Sequence, residues 1–209
     1  MRRVVVVALL ALLLPMLAWA NGIDIVNRNG TILISNSGLQ SMQSDLIQFN
    51  GKKAGSGHAL GKVDFATGAL SSGSIWTGGT FSDVGSSFLV TGNGNQGVPS
   101  GTIFSGAFVG PITWTLVSES GNGCPGAPCK YAFQLTGNLQ GQLYTGNTVT
   151  GTTTQNINAY YGQWLHDGKG HVNLGGTHFV TPEPGTLGLL GVGLVGMAGV
   201  VRRRFVAQG

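Results

Sequence analysis

Charge is what this chain has least of. Asp, Glu, Lys and Arg make up 9% of its 209 residues, against about a quarter in ordinary globular proteins. The few charges also divide by region. Arg2, Arg3, Arg202, Arg203 and Arg204 lie near the two ends, with Glu183 as the acid there. Between Asn21 and Val180 the bases are Arg28, Lys52, Lys53, Lys62, Lys130 and Lys169, and the acids are Asp24, Asp45, Asp64, Asp83, Glu119 and Asp167. That stretch is neutral, so the formal charge of +4 comes from the ends. No basic patch remains for a phosphate backbone, and no nucleic-acid partner is expected. Solubility must rest on Ser, Thr, Asn, Gln and the backbone, a surface that suits a crowded, hydrated medium and self-associates readily.

The signs of chemistry are equally sparse. There is no Gly-x-Ser-x-Gly elbow and no phosphate-binding loop, the marks of a serine hydrolase and a nucleotide site. The acids are scattered, with no pair that stands out for glycosidic cleavage. Four histidines occur: His58, His166, His171 and His178. The run His166-Asp167-Gly-Lys-Gly-His171 could set an imidazole beside a carboxylate. Its turn pairs Asp167-Gly168 and Lys169-Gly170 read more simply as a loop. A separation of seven puts His171 and His178 on opposite faces of a regular strand. The expectation is a body with no catalytic residues, no metal and no cofactor.

What is abundant is glycine, 37 residues, broken by apolar bursts of strand type. Ile23 and Ile25, then Ile32 and Ile34, flank Asn29-Gly30, a two-residue hairpin signal. Ile112, Trp114 and Leu116 alternate with smaller or polar residues, as do Tyr131, Phe133 and Leu135, which places the large side chains on one face. Further short strands are predicted near Gly61–Phe65, Ser74–Phe81, Phe88–Thr91, Thr102–Val109, Gln142–Tyr144 and His171–Val180. Ser41 to Phe49 is the one candidate helix of the body. Thr-Gly pairs recur without a fixed interval, where a solenoid or propeller would show a period. The body therefore reads as all-β, a single antiparallel β-sandwich of jelly-roll type, with a β-solenoid as the alternative.

Two cysteines, Cys124 and Cys129, bracket Pro-Gly-Ala-Pro between two strands. In an exported protein an even count favours a structural disulfide clipping that loop, worth about 2 kcal/mol or less for so small a ring. Tyr160, Tyr161 and Trp164 form the densest aromatic cluster. They are candidate carbohydrate contacts if exposed and core if not. Trp114 reads as core.

The two ends carry addresses. Arg2-Arg3, the apolar run Val4–Leu14, Pro15 and Ala18-Trp19-Ala20 have the layout of a signal peptide cut after Ala20. At the other end Pro182-Glu183-Pro184 leads into an uncharged run, Gly185 to Val201, stopped by Arg202-Arg203-Arg204. The prolines hold the tripeptide extended, the form a protease accepts. A run of about 17 residues spans roughly 25 Å as a helix, marginal for a bilayer, and six glycines weaken it further. The arginines should stay cytoplasmic. This arrangement resembles the PEP-CTERM sorting signal of exopolysaccharide-producing Gram-negative bacteria. The resemblance covers Thr181 to about Arg204 and implies sorting, with cutting near the tripeptide by exosortase, a membrane-embedded thiol transpeptidase-like enzyme.

The reading is a signal peptide (1–20), a β-sandwich body (21–180) and a sorting segment with transmembrane helix and basic tail (181–209). It describes an exported, non-catalytic surface or extracellular-matrix protein, held transiently in the inner membrane and released by an exosortase-like partner. An exopolysaccharide-binding module is the alternative, and a secreted hydrolase comes third.

Overall fold

A computed structural model of the chain describes residues 22–55, 57–120, 129–161 and 168–180, with backbone only at Cys129, Tyr160 and Tyr161. Eleven strands follow one another: β1 (Gly22–Ser35), β2 (Gly38–Phe49), β3 (Lys52–Lys53), β4 (Gly61–Ala66), β5 (Leu70–Ser74), β6 (Gly78–Phe81), β7 (Ser87–Asn93), β8 (Ser100–Ser120), β9 (Cys129–Leu143), β10 (Thr148–Tyr161) and β11 (Gly168–Val180). The helical content of the described residues is one 3-10 turn, Asn95–Gly97.

The strands form a closed antiparallel barrel, which corrects the sandwich and solenoid expectations. Hydrogen-bonded neighbours run β8-β7-β4-β2-β1-β11-β10-β9, and β9 pairs again with β8. Eight strands therefore close a ring. A sandwich would leave each of its two sheets with open edges, whereas here the two ends of the path pair, Phe104 of β8 with Leu143 of β9. Closure removes the unpaired edges that a neutral chain could not protect with charge. Strands β3 and β5–β6 stand outside the ring.

Several strands are longer than their glycine punctuation suggests, because bends occur inside them. Asn29 and Gly30 have φ of 61° and 79°, the left-handed values of a hairpin turn, yet they lie within β1. They make a bulge, with register shifts against β11 on either side, and a Cβ on Gly30 would meet the Ser44 backbone at 2.6 Å. The hairpin expected there comes instead at Asn36–Ser37. Strand β8 bends at Gly110-Pro111, where its register against β9 shifts. Proline has no N–H for the ladder, and the Gly110 N–H is taken by Asp83 Oδ2 at 2.7 Å. Before the bend β8 pairs with β7, and after it with β6.

The expected helix Ser41–Phe49 is strand β2. Its inward residues are Leu39, Ser41, Ser44, Leu46 and Phe49, because register shifts fall between Ser41 and Ser44 against β4 and opposite Leu46–Gln48 against β1. Bulged spacing alternates two and three, which imitates helical periodicity.

An eight-stranded barrel is just wide enough for side chains to fill, and aromatics fill this one on the β8–β9 side. Trp114 and Phe133 stack with centroids 4.2 Å apart, and Phe104 and Phe179 meet at 4.2 Å. Phe88 contacts Phe65 and Phe108, both at 5.9 Å. The alternation expected for Ile112, Trp114, Phe133 and Leu135 holds, since all four are fully buried. Each such side chain contributes about 1.5–3 kcal/mol.

On the β1–β11–β10 side a polar network crosses the otherwise apolar interior. Asn27 donates to Ser44 Oγ (2.8 Å) and to Gln155 Oε1 (3.0 Å). Gln155 donates to Thr153 Oγ1 (2.8 Å), which meets Thr177 Oγ1 at 2.9 Å. Asn27 and Gln155 lie two strands apart, both opposite Gly175 of β11. A Cβ on Gly175 would collide with both amide oxygens, so the glycine lets the bridge pass over it. A buried network with its members paired specifies register, because slipping one strand would strand amides in an apolar interior.

Candidate functional site

The barrel wall is where the chemistry of this chain is organised. Outward residues of β8 are Ser105, Ala107, Val109, Thr113 and Thr115; those of β9 are Gln134, Thr136, Asn138, Gln140 and Gln142. On β10 they are Thr148, Thr150, Thr152, Thr154, Asn156 and Asn158. All are exposed or half-exposed, and none ionises. An apolar interior with a polar outer surface is the inverse of a membrane-spanning barrel, whose outward face is apolar.

Register turns these residues into rows. Thr80, Thr113, Thr136 and Thr154 align across β6, β8, β9 and β10, and Val109, Asn138 and Thr152 align next to them. Neighbours in a row are about 4.8 Å apart across the strands. Amides pair between strands, as Gln134 Nε2 does with Asn156 Oδ1 at 3.3 Å. At the β11 end of this wall lies an open groove of about 310 Å³, with Leu139, Gly151, Val109 and Val180 among its apolar lining and Asn138, Gln140, Thr150, Thr152 and His178 as its polar groups. Asp24 Oδ1 accepts a hydrogen bond from His178 Nδ1–H at 2.7 Å. The His178 ring lies over Gly22, where a Cβ would sit 2.5 Å from Cε1.

The charges gather on the other side. Arg28 on β1, Asp45 on β2, and Lys62 and Asp64 on β4 are outward, with Lys52 and Lys53 in β3 beside them. Lys62 Nζ and Asp45 Oδ1 pair at 2.7 Å. Partial burial works to raise the Asp45 pKa, but hydrogen bonds from Lys62 and Asn29, with the charges of Lys62 and Arg28, outweigh it and hold the carboxyl below its usual value.

Every acid among the described residues has a structural partner. Asp24 meets His178, Asp45 meets Lys62, Asp64 accepts the Gln43 N–H, and Asp83 accepts the Gly110 N–H. Glu119 accepts a hydrogen bond from Tyr131; burial first and then that carboxylate push the phenol above its ordinary pKa.

One end of the barrel collects the other predicted features. Trp76 and Tyr131 meet edge to face at 6.2 Å, and Tyr131 stacks at 6.0 Å on Phe133. These join the surface to the Trp114–Phe133 stack, whose indole N–H donates to the Ile75 carbonyl at 3.0 Å. Backbone pairing sets Tyr161 opposite Cys129 and Tyr160 opposite Lys169, so β9 begins and β10 ends at this same end. A cleft of about 530 Å³ lies at the rim beside the β1–β2 turn, between Ser37, Ala66 and Lys169.

The side chains of Cys129, Tyr160 and Tyr161, and all of Cys124 and Trp164, lie outside the described residues, as do Ala18, Ala20, Pro182–Pro184 and Arg202–Arg204. The disulfide and the aromatic contacts expected there have no described geometry. The transmembrane helix expected after Pro184 falls outside as well; among the described residues no helix is long and apolar enough to cross a membrane. The two histidines of β11 differ from expectation. His171 pairs with Asn158 and His178 with Thr152, both outward positions, because the β10–β11 register shift at Asn156/Ile157 inserts a residue between them. Sequence reasoning missed the uncharged wall altogether. Its signal was present: β10 contains no ionisable Asp, Glu, Lys, Arg or His, and β9 contains only Lys130.

Residues 180–204 match the family model of the PEP-CTERM protein-sorting motif. The chain carries a PEP-CTERM sorting signal. The match begins at Val180, the last residue of β11, so the sorting signal starts where the barrel closes. The signal marks the protein as exported and as a substrate of an exosortase-type processing enzyme. No curated protein and no solved structure matches the chain.

Proposed function

We propose that this is a non-catalytic barrel of the cell surface or extracellular matrix, held briefly in the inner membrane by its PEP-CTERM segment and then released outward. The observation that carries the reading is the junction at Val180, where a ring-closed strand passes directly into the sorting signal. Cutting at Pro182–Pro184 would leave every barrel strand intact. Further support comes from the interior, which is filled with aromatics and paired amides, and from the acids, each employed in a structural contact. A second reading, an exopolysaccharide-binding module, is favoured by the uncharged wall.

Replacing Pro182, Glu183 and Pro184 together by Ala tests the release step. The wild-type chain should be recovered outside the inner membrane, and the variant should stay in the inner-membrane fraction. Equal release of both would refute a role for the tripeptide.

A further inference from the structure

The uncharged wall is chemically one-sided, and what it leaves out identifies what it suits. Across β8, β9 and β10 the outward positions between the two rims hold hydroxyls and amides, but no carboxylate, ammonium, guanidinium or aromatic ring. A polyanion, whether an acidic polysaccharide or nucleic acid, needs cations to replace its counterions, and the wall supplies none. A protein partner would be expected to find aromatic, Met and Arg anchors, which are also missing. A bilayer surface needs apolar area or basic charge, and the wall has neither in quantity.

The remaining chemistry is that of a neutral, polyhydroxylated chain. Sugar hydroxyls both donate and accept hydrogen bonds, as Asn, Gln and Thr side chains do. The C–H faces of a sugar ring need apolar support, and the groove places Val109 and Val180 beside Asn138, Gln140, Thr150 and Thr152. Its volume of about 310 Å³ is at the small end of ligand sites, enough for a short stretch of glycan. The rows continue beyond the groove along β9 and β10, so a polymer can keep contact with successive amides and hydroxyls. The one ionisable group in the groove's lining, His178, is tied to Asp24.

We infer that the outer face of β9–β10, centred on the groove at Asn138 and Thr152, binds a neutral glycan chain. This rests on the reading of the chain as an exported, non-catalytic barrel. Binding occurs by hydrogen bonds from amides and hydroxyls with apolar support from Val109 and Val180. It is independent of cations and therefore insensitive to salt.

Affinity electrophoresis of the full-length chain, purified in detergent, tests this with named polymers. The expected result is retardation in gels containing dextran or hydroxyethylcellulose, unchanged by added salt, and none in polygalacturonate. The variants Asn138→Asp and Thr152→Asp, each placing a charge in the groove at an exposed position, should weaken retardation at least tenfold. Thr31→Asp, exposed on the opposite wall, should leave it unchanged, with the melting temperature of all three confirming the fold. Free migration in both neutral polymers, equal retardation of the groove variants, or preference for polygalacturonate would overturn the inference. Any of those would leave the non-catalytic reading intact. That reading falls instead if the polymers recovered from incubation with the protein are shorter than before.

Discussion

The barrel has two walls that differ inside and out. On β1, β2 and β4 the outward face carries Arg28, Asp45, Lys62 and Asp64, and the interior nearby is bridged by Asn27, Ser44 and Gln155. On β8, β9 and β10 the outward face is uncharged, and the interior behind β8 and β9 is filled by Trp114, Phe133, Phe104 and Phe108. The first wall adds specific polar pairs to aliphatic packing by Ile25, Ile32, Ile34 and Leu46, while the second rests on aromatic volume. Strands held from behind by packing can spend their outer positions on uniform rows of Thr, Asn and Gln. This division leaves the outer face of β8–β10 uncharged.

The largest expected effect comes from removing that volume. Trp114→Ala should cost about 3–5 kcal/mol, read as a lowered urea midpoint. An equally small loss on both walls would mean that the aromatic stack does not support the neutral one. Next comes the polar bridge. Asn27→Ala leaves the Gln155 amide and the Ser44 hydroxyl short of a partner inside the barrel, with an expected loss of about 1–3 kcal/mol. Gly175→Ala should do at least as much, since its Cβ would occupy the crossing point of both amides.

A smaller effect is expected from the surface pair. Asp45→Asn should cost no more than about 1 kcal/mol at neutral pH, because the Lys62 pair is partly exposed and screened. The folded-state pKa of Asp45 is lowered, so its contribution is complete above the unfolded carboxyl pKa. It fades as pH falls through the folded value. Wild type and variant should therefore converge in stability under acid, measured by denaturation at stepped pH. Last, Thr136→Val on the neutral wall should change stability by less than about 0.5 kcal/mol. A large loss there would show that the Thr rows hold the barrel and are not free for a ligand.

Much of the wall architecture was legible in the sequence one strand at a time. Alternation named Ile112, Trp114, Phe133 and Leu135 as inward, and they are. Ring closure was not legible, because a strand with one buried face has the same period of two in a sandwich and in a barrel. Bulges hid the rest. They gave β2 a helix-like spacing of inward residues and kept Asn29-Gly30 inside a strand. In β11 they turned His171 to the same outward side as His178. The sorting signal was readable because its parts are contiguous. The neutral wall required register, since Thr80, Thr113, Thr136 and Thr154 come together only when four strands are aligned.

If the proposed function holds, the barrel is exported whole and separated from its sorting signal. Intact mass of the protein recovered from its producing cells and medium measures this directly. The expected chain begins at Asn21 and ends between about Thr181 and Pro184, with all barrel strands retained. A mass that includes the sequence through Gly209 would contradict it and describe a protein that stays anchored in the inner membrane.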